Sequence, residues 1–404
     1  MRTFVLLVAF AGLFLDGCAS EGPPLRVESP YRDPSTLEAG QILHLATGRL
    51  LTEPELIEYL SAYRVVYVGE THENIEAHTV ELAILAGLEK RFPGGVALGL
   101  EMLGRPDQEG VDAYLRGAMD EKTFVKLWGR NWGRRSFPYY RDIMHLAREK
   151  KIPVLALNAA RELSDAVAKR GIEGIDPKDA KRLPEMDFEN PYERAFLEAI
   201  FRGHAGGVHD MGGFHQAQVL WEETMAQTAA SYLTGSEGTH RRLVIFAGAN
   251  HVRYGFGIPR RLFRRLPLPY TIVCAHAVEI PEDRLDELMD VDLPALPMSP
   301  ADVYWAVGYE SLEDRRVMLG VLSEPSAGKG VRITAVLPGS PAEAAGVQVG
   351  DVIVSTGGKP VENAFDLTYE IDRYEAGETH PLEVIRGDRH LTLQVPYEPL
   401  HHGR

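Results

Sequence analysis

Five short apolar segments, separated by longer amphipathic stretches, constrain the fold of this chain more than any other feature of its sequence. They span residues 64–68, 96–101, 153–157, 243–247 and 270–275. Each is rich in β-branched or apolar residues and is bounded by Gly, Pro or Asn, as buried strands are. Buried strands that alternate with helices indicate an α/β fold with a mostly parallel sheet flanked by helices. We predict such a domain over residues 41–280, with a small helical subdomain inserted at about 159–240.

The N-terminal residues have the pattern of a bacterial lipoprotein signal. After Met1-Arg2-Thr3, residues 4–15 are apolar or small, and this run is too short for a spanning helix of roughly 20 residues. It ends in Leu15-Asp16-Gly17-Cys18, which is similar to a lipobox. We predict a signal peptide over 1–18, lipidation of Cys18 and a tether over 19–40. The alternative is an ordinary secretory signal that happens to contain a Cys.

Lipidation would attach the protein to a membrane without spanning it. Ala19 and Ser20, rather than Asp, follow the Cys, so the predicted location is the outer membrane of a bacterial envelope, facing the periplasm. The formal net charge of -15 argues against a nucleic-acid partner, which needs a basic surface. Two cysteines cannot form a disulfide framework.

The texture of the sequence changes after residue 280. Pro281, Pro294, Pro297 and Pro300 interrupt an acidic segment, so residues 281–315 are predicted to be a linker. Residues 316–397 then alternate short β patterns with Gly turns, which predicts a second, mainly-β domain.

Polar residues follow the predicted strands where each one ends. Glu70 and His72 follow the first strand, Glu101 ends the second, and His251 follows the fourth. Ligand sites in parallel sheets lie at the carboxyl ends of the strands. Two imidazoles and two carboxylates suit a divalent transition metal such as Zn or Mn, and a spare carboxylate would suit a general base. The alternative is that each residue only caps a helix or faces solvent in a loop.

Several of these segments together resemble the ChaN-type lipoproteins, which are described as cofacial haem binders related to erythromycin esterases and Tiki metalloproteases. The segments are VVYVGETH, LGLEML, IPVLALN, AQVLWEETMA and IFAGANHVRYGFGIP. The resemblance covers about residues 40–280. It implies a parallel α/β core and either haem capture or metal-dependent hydrolysis, and it places Glu70, His72, Glu101 and His251 at the carboxylate and GxxH positions of the superfamily. It also implies a possible homodimer.

A haem site needs an axial ligand, an apolar slot and cations for the propionates. Tyr and His are both axial ligands in proteins. Tyr254 and His251 are therefore candidate ligands, and Tyr140, Arg134 and Arg135 are candidate contacts from an aromatic, Arg-containing stretch. The alternative is that these aromatics form a core and the arginines face solvent.

The second domain resembles a PDZ domain of the bacterial HtrA type. The resemblance rests on VMLGVL, on VRITAVLPGSPAEAAGVQVGDVIVSTGGKPVENAFDLTYEI and on HPLEVIRGDRHLTLQV. It implies that protein or peptide C-termini add a strand to an exposed sheet edge. Leu319, Gly320 and Val321 are the candidate carboxylate loop, and Phe365 and Leu367 are candidate pocket residues. The alternative is a PDZ fold that only packs on its neighbour or dimerises.

Two function hypotheses follow from these features. The first is a lipid-anchored envelope protein that binds haem and docks peptides through its PDZ domain. The second is a metal-dependent hydrolase in which Glu70, His72, Glu101 and His251 are catalytic and the PDZ domain recruits the substrate. The sequence leaves open whether the protein is an enzyme, and a scaffold without turnover remains a third alternative.

Overall fold

The computed structural model describes residues 34–203, 211–282, 296 and 298–398. The predicted signal peptide, Cys18 and most of the predicted tether lie outside these residues. Within the described residues, no helix is both long and apolar enough to cross a bilayer.

The larger sheet contains, within the described residues, eight strands. They are β1 (Ile42–His44), β2 (Arg49–Leu51), β3 (Val65–Glu70), β4 (Val96–Gly104), β5 (Val154–Asn158), β6 (Arg242–Gly248), β7 (Tyr270–Glu279) and β8 (Val303–Gly308). Their order is β2-β1-β8-β7-β3-β6-β4-β5. All neighbours from β8 to β5 are parallel, and β1 and β2 are antiparallel additions at one edge. The predicted mostly parallel sheet is therefore confirmed.

Helices cover both faces of this sheet. They are α1 (Glu53–Leu60), α2 (Ile75–Arg91), α3 (Gln108–Leu115), α4 (Glu121–Asn131), α5 (Phe137–Lys150), α6 (Arg161–Arg170), α7 (Pro177–Ala180), α8 (Pro191–Gly203), α9 (Met211–Thr234), α10 (Ile258–Arg265) and α11 (Leu312–Arg315). Alternation along β3 divides the core: Val66 and Val68 pack with α2 and α5, while Val65 and Tyr67 pack with α9 and α10.

The predicted linker over 281–315 is wrong for its C-terminal part. Strand β8 lies inside that range and pairs in parallel with β7 on one side and antiparallel with β1 on the other. Val303 and Ala306 of β8 are fully buried. The predicted tether needs a similar correction, because Leu37 is buried in the core. The prolines and acidic residues around β8 made this segment resemble a linker, although it forms the strand that joins β1 to β7 in the sheet.

The second domain contains a smaller antiparallel sheet. Its strands are β9 (Val321–Pro325), β10 (Val331–Val336), β11 (Val352–Thr356), β12 (Lys359–Pro360), β13 (Thr379–Arg386) and β14 (Arg389–Pro396), and its helices are α12 (Pro341–Ala344) and α13 (Ala364–Ile371). The order is β14-β13-β11-β10-β9, with β12 paired to β11. Strand β9 therefore lies at an edge of this sheet, as a PDZ fold requires for strand addition.

Candidate functional site

Three neighbouring strands bring the predicted site residues to one edge of the larger sheet. Strand β3 ends at Glu70, β4 carries Glu101, and β6 leads into the turn Ala249–His251. Strand β6 lies between the other two, and its Gly248 stands opposite Glu70 in the register. Glu70, His72, Glu101 and His251 consequently form one charged cluster.

The first half of the cluster is a carboxylate–imidazole pair. Glu70 Oε1 lies 2.5 Å from His72 Nδ1 and accepts a 3.0 Å hydrogen bond from Tyr140 Oη. Burial acts to raise the pKa of Glu70, but the charge and hydrogen bond of His72 outweigh it and leave that pKa below its usual value. For His72, burial acts to lower the pKa, yet the charge of Glu70 and its hydrogen bond raise the pKa to about 9. The pair is therefore a carboxylate with an imidazolium at neutral pH.

The second half is a histidine between two buried carboxylates. His251 Nε2 lies 3.3 Å from Glu101 Oε1, and His251 Nδ1 lies 3.1 Å from Glu222 Oε1. The N–H of Gly248 donates a 2.7 Å hydrogen bond to Glu101 Oε2. Burial opposes charging of both groups, but their mutual attraction lowers the pKa of Glu101 to about 2 and raises that of His251 to about 10.

Gly248 joins the two halves of the cluster. A Cβ at this position would lie 2.8 Å from His72 Nε2 and 3.7 Å from Glu101 Oε2, so the ring and the carboxylate both lie against its backbone. A side chain here would force the imidazole away. Gly248 begins the GxxH turn that follows β6, and glycine is required there because His72 and Glu101 lie so close to its backbone.

The structure does not show the predicted Zn or Mn site among the described residues. Three of the four ring nitrogens, both of His251 and Nδ1 of His72, already face carboxylate oxygens. Within the described residues, no group of three or more His, Cys, Asp or Glu side chains is arranged to hold a metal ion. His72 Nε2 is the one nitrogen left open, and the His72 side chain is 35% exposed.

Residues that support the cluster were not predicted from the sequence. Glu222 of α9 holds His251, and Arg261 of α10 in turn faces Glu222 at 3.2 Å and Glu193 at 2.7 Å. Burial and the nearby charge of Glu222 raise the pKa of Glu193 to about 8, although Arg261 acts against this. The signal that would have found them is the adjacent acid pair Glu222 and Glu223 inside a helix with no other acidic residue and no Lys or Arg.

A second supporting pair lies behind His72. His78 Nδ1 lies 2.8 Å from Glu81 Oε2, and His78 Nε2 lies 3.1 Å from the carbonyl oxygen of His72. Both side chains are buried on α2. They fix the backbone on which His72 stands.

A polar cleft of about 220 Å³ opens beside the cluster. Its walls include Glu101, Asn158, Trp132 and Trp221. The Trp132 ring meets the His72 ring edge-on, with centroids 4.9 Å apart. The open His72 nitrogen and the cleft are therefore close neighbours.

Tyr254 lies outside the charged cluster, in a different cleft. It stands on the turn Arg253–Gly255 with a left-handed backbone, φ 58° and ψ 2°, which is uncommon for a residue other than glycine. The cleft has a volume of about 460 Å³ and is lined by aromatic residues and arginines. These are Tyr192, Tyr254, Phe256, Phe263, Tyr270, Arg260 and Arg264.

The Tyr254 cleft exposes large apolar side chains. Phe263 and Tyr192 are each 48% exposed, and Met298 also lies in the wall. Tyr254 stacks on Phe256 with centroids 5.4 Å apart, and within the described residues its hydroxyl has no hydrogen-bond partner. Burial raises the pKa of this phenol, partly opposed by Arg253.

The other predicted haem contacts are not near Tyr254. Tyr140 is fully buried and bonded to Glu70, so it has no surface for a ligand. Arg134 lies over the ring of Phe365 at 5.0 Å, and Arg135 acts on Asp372, so both face the PDZ domain. The structure therefore does not bring Tyr140, Arg134 and Arg135 to the Tyr254 cleft.

The predicted peptide-site residues lie in two different environments, the loop residues before the edge strand and the helix residues away from solvent. Leu319 and Gly320 lead into edge strand β9, which begins at Val321. Position 320 requires glycine for two reasons: its φ of 77° is left-handed, and a Cβ there would clash with the side chain of Ser340. Phe365, however, packs towards the α/β core, and Leu367 is buried in the PDZ core. The helix presents Ala364 and Thr368 to solvent instead.

Comparison with known proteins finds two families along the chain. The family model described as haem-binding uptake, Tiki superfamily, ChaN matches residues 56–262, about half of the chain, and a PDZ domain model matches residues 311–396. A solved structure of ChaN from Campylobacter jejuni, described as binding haem cofacially, is similar at 14% identity and a TM-score of 0.49. That match covers 65% of this chain and 95% of ChaN.

Curated relatives match the PDZ region. The serine endoprotease DegS of Escherichia coli (strain K12) is 37% identical over 67 residues, which is 17% of this chain and 19% of DegS. DegS of Salmonella typhimurium is 36% identical over the same number of residues, again 17% of this chain and 19% of DegS. The chain thus spans less than a fifth of the length of these relatives.

Proposed function

We propose a function from one premise: the chain belongs to the haem-binding uptake family of the Tiki superfamily that includes ChaN, and it carries a PDZ domain. The proposed function is haem capture at the Tyr254 cleft by a lipid-anchored envelope protein whose PDZ domain docks peptide or protein C-termini.

Tyr254 is the observation that carries the haem proposal. Tyrosine is an axial ligand of haem iron in proteins. The phenol is partly exposed, has no hydrogen-bond partner among the described residues, and stands on a strained turn that only its surroundings can maintain. The residues present therefore fit a haem: Tyr254 would ligate the iron, and the exposed faces of Phe263 and Tyr192 would cover the macrocycle.

The arginines of this cleft are suited to bind the carboxylates of a haem, although both already form an ion pair with Asp187. Arg260 lies 2.6 Å and Arg264 3.0 Å from Asp187. A guanidinium has five N–H donors, so each retains donors for the carboxylates of a ligand.

A haemin titration of residues 19–404 tests this proposal. We expect a saturable Soret band, and we expect Tyr254→Phe to weaken haemin affinity by roughly 100-fold, because loss of groups that only support a metal ligand already costs about 10–100-fold. Tyr192→Phe is the matched control, since it removes a phenol from the same cleft and should change the affinity less than about threefold. Equal affinity of wild type and Tyr254→Phe would reject Tyr254 as the ligand.

Peptide docking is supported by the free edge of β9. Val321 to Pro325 pair with β10 on one side only, and Leu322 is 58% exposed. Among the described residues, the N–H groups of Leu319 and Gly320 donate to no other backbone group, so they are available to a terminal carboxylate. A library of C-terminal peptides, screened by fluorescence anisotropy with Leu322→Asp as the blocked control, tests the docking.

The membrane anchor is proposed from Cys18 and the residues around it. Expression in a bacterium with lipoprotein processing should give a protein that labels with palmitate and sediments with the outer membrane. Cys18→Ser should remain soluble in the periplasm. A wild-type protein without the label would reject the anchor.

A second copy is the proposed cover for the exposed side of the Tyr254 cleft. Tyr192, Phe263 and Met298 form apolar surface that a homodimer would bury. Sedimentation with and without haemin would show whether haemin brings two chains together.

Acid–base catalysis is a second candidate function, favoured by the open His72 nitrogen. Glu70 orients the ring through Nδ1, and Nε2, which lies next to Gly248, has no hydrogen-bond partner among the described residues and can exchange a proton with a bound molecule. Hydrolysis of a bound ester or peptide by this acid–base route would proceed without a metal, whereas a metal-dependent hydrolase would lose its activity on chelation. Ester and peptide substrates should be turned over by the chelator-treated wild type and not by His72→Ala.

A further inference from the structure

Helix α13 of the PDZ domain has two faces with different neighbours. Ala364 and Thr368 are exposed and belong to the side next to β9, where a docked peptide would lie. Phe365, Asp366 and Tyr369 lie on an adjoining side and face the α/β domain. The helix is therefore a wall shared by the peptide groove and the domain interface.

The contacts on the interface side are specific and numerous. Lys126 Nζ lies 4.7 Å from the centre of the Phe365 ring, and Arg134 lies over the same ring. Tyr369 Oη donates a 3.0 Å hydrogen bond to Glu121, and Tyr369 is buried in the α/β core. Lys122 Nζ pairs with Asp366 at 2.8 Å. Such a combination of cation–π, ionic and apolar contacts fixes α13 on α4.

Helix α4 leads from this interface directly to the charged cluster. Its last residue, Asn131, and the next, Trp132, both line the polar cleft, and Trp132 meets the His72 ring. Ser136 Oγ donates to the carbonyl oxygen of Trp132 and accepts a 2.9 Å hydrogen bond from Trp128 Nε1. Residues 132–136 are thus tied to α4 and move with it.

We propose that α13 couples the peptide groove to His72. A peptide that adds to β9 contacts α13, and α13 is seated on α4 and Arg134, so peptide binding changes the position of Trp132 and of the His72 ring. Coupling between sites is reciprocal, so a change at His72 should in turn alter the affinity of the PDZ domain for its peptide. This inference rests on the proposed peptide docking.

The test uses residues 19–404 and the tightest peptide from a random C-terminal pentapeptide library. We expect His72→Ala to change the peptide Kd by about fivefold or more, the lower end of typical coupling. In a Phe365→Ala background, His72→Ala should change the peptide Kd less than twofold, because the contact of α13 with α4 through Phe365 is lost. Val349→Ala, at a position 66% exposed elsewhere on the PDZ domain, is the matched background and should leave the fivefold effect intact.

A direct readout accompanies the affinities. Saturating peptide should alter hydrogen exchange of residues 129–136 in the wild type and leave it unchanged in Phe365→Ala. If Phe365→Ala does not fold, Tyr369→Phe, which removes the hydroxyl that bonds to Glu121 and Arg373 and keeps the ring, takes its place.

The possible outcomes separate the two claims. If peptide binds but His72→Ala has the same small effect in every background, the coupling is rejected while docking stands. If no peptide in the library binds, docking is rejected and the coupling with it.

Discussion

The charged cluster and the Tyr254 cleft lie on the same domain but are built in opposite ways. In the cluster, Glu101 and His251 are buried, and each has a polar partner on more than one side. In the cleft, Tyr254 has a free hydroxyl among the described residues and apolar neighbours that remain exposed. Satisfied polar groups stabilise a fold, whereas unsatisfied ones next to apolar surface are available to a ligand. Among the motif residues that the structure describes, His72 Nε2 and the buried Glu70 Oε2 lack a hydrogen-bond partner, so these two atoms are the ones open to a ligand.

The largest expected effect tests whether the cluster is a structural unit. Arg261→Met should lower the free energy of unfolding by about 3–5 kcal/mol, because it leaves Glu193, Glu222 and Glu223 without their buried cation. Urea denaturation measures the change. Arg260→Met, on the same helix but partly exposed and paired with Asp187, is the control and should cost less than about 1 kcal/mol. Equal effects of the two variants would contradict the comparison.

Removal of one histidine should separate stability from haemin binding. His251→Gln leaves Glu101 and Glu222 with a neutral partner, so we expect a loss of about 1–3 kcal/mol in unfolding free energy. Haemin affinity, measured by the Soret band, should change less than about threefold. A collapse of haemin affinity in this variant, with Tyr254→Phe unaffected, would assign the ligand to the cluster instead.

The pH dependence of unfolding should carry the signature of the cluster. The pKa of Glu101 is lowered to about 2, so its contribution is present above its unfolded pKa of about 4.5 and is lost as the pH falls towards 2. The pKa of His251 is raised to about 10, so its contribution is present below about 6.5 and is lost as the pH rises towards 10. Stability from this pair should therefore be greatest between about pH 4.5 and 6.5.

Denaturation of Glu101→Gln across the same pH range provides the control. The variant cannot ionise at position 101, so its stability should fall less steeply between pH 4.5 and 2 than that of the wild type. Parallel curves would show that Glu101 does not titrate as the geometry requires.

The smallest expected effect compares one glycine from each region. Gly248→Ala should cost about 1–3 kcal/mol through its clash with His72, and it should displace that ring. Gly255→Ala, at a φ of 72°, should cost about 1–2 kcal/mol through backbone strain next to Tyr254. The NMR signal of His72 should shift only in the first variant, and haemin affinity only in the second. The reverse assignment would break the comparison.

The features that could be predicted from the sequence are those set by local residue patterns, namely the strands and the polar residues at their ends. The apolar runs give β3 to β7, and the polar residues at their ends meet because neighbouring parallel strands end at one edge. The pairing of His251 with Glu222 could not be predicted, because residue types alone do not show which residue, distant in sequence, faces the second ring nitrogen. The packing of Phe365 could not be predicted either, because a helix in isolation does not reveal which face meets another domain.

Strand β8 determines where the α/β domain and the PDZ domain can be separated. It lies between β1 and β7, immediately before the PDZ domain in the chain. A genetic cut at residue 280 would leave β7 without its neighbour and create an unprotected edge that invites aggregation. The PDZ domain is consequently not a module that can be exchanged at that point. A boundary for dissection or fusion lies after Leu312, because Glu310 and Leu312 still hydrogen-bond to the α/β domain.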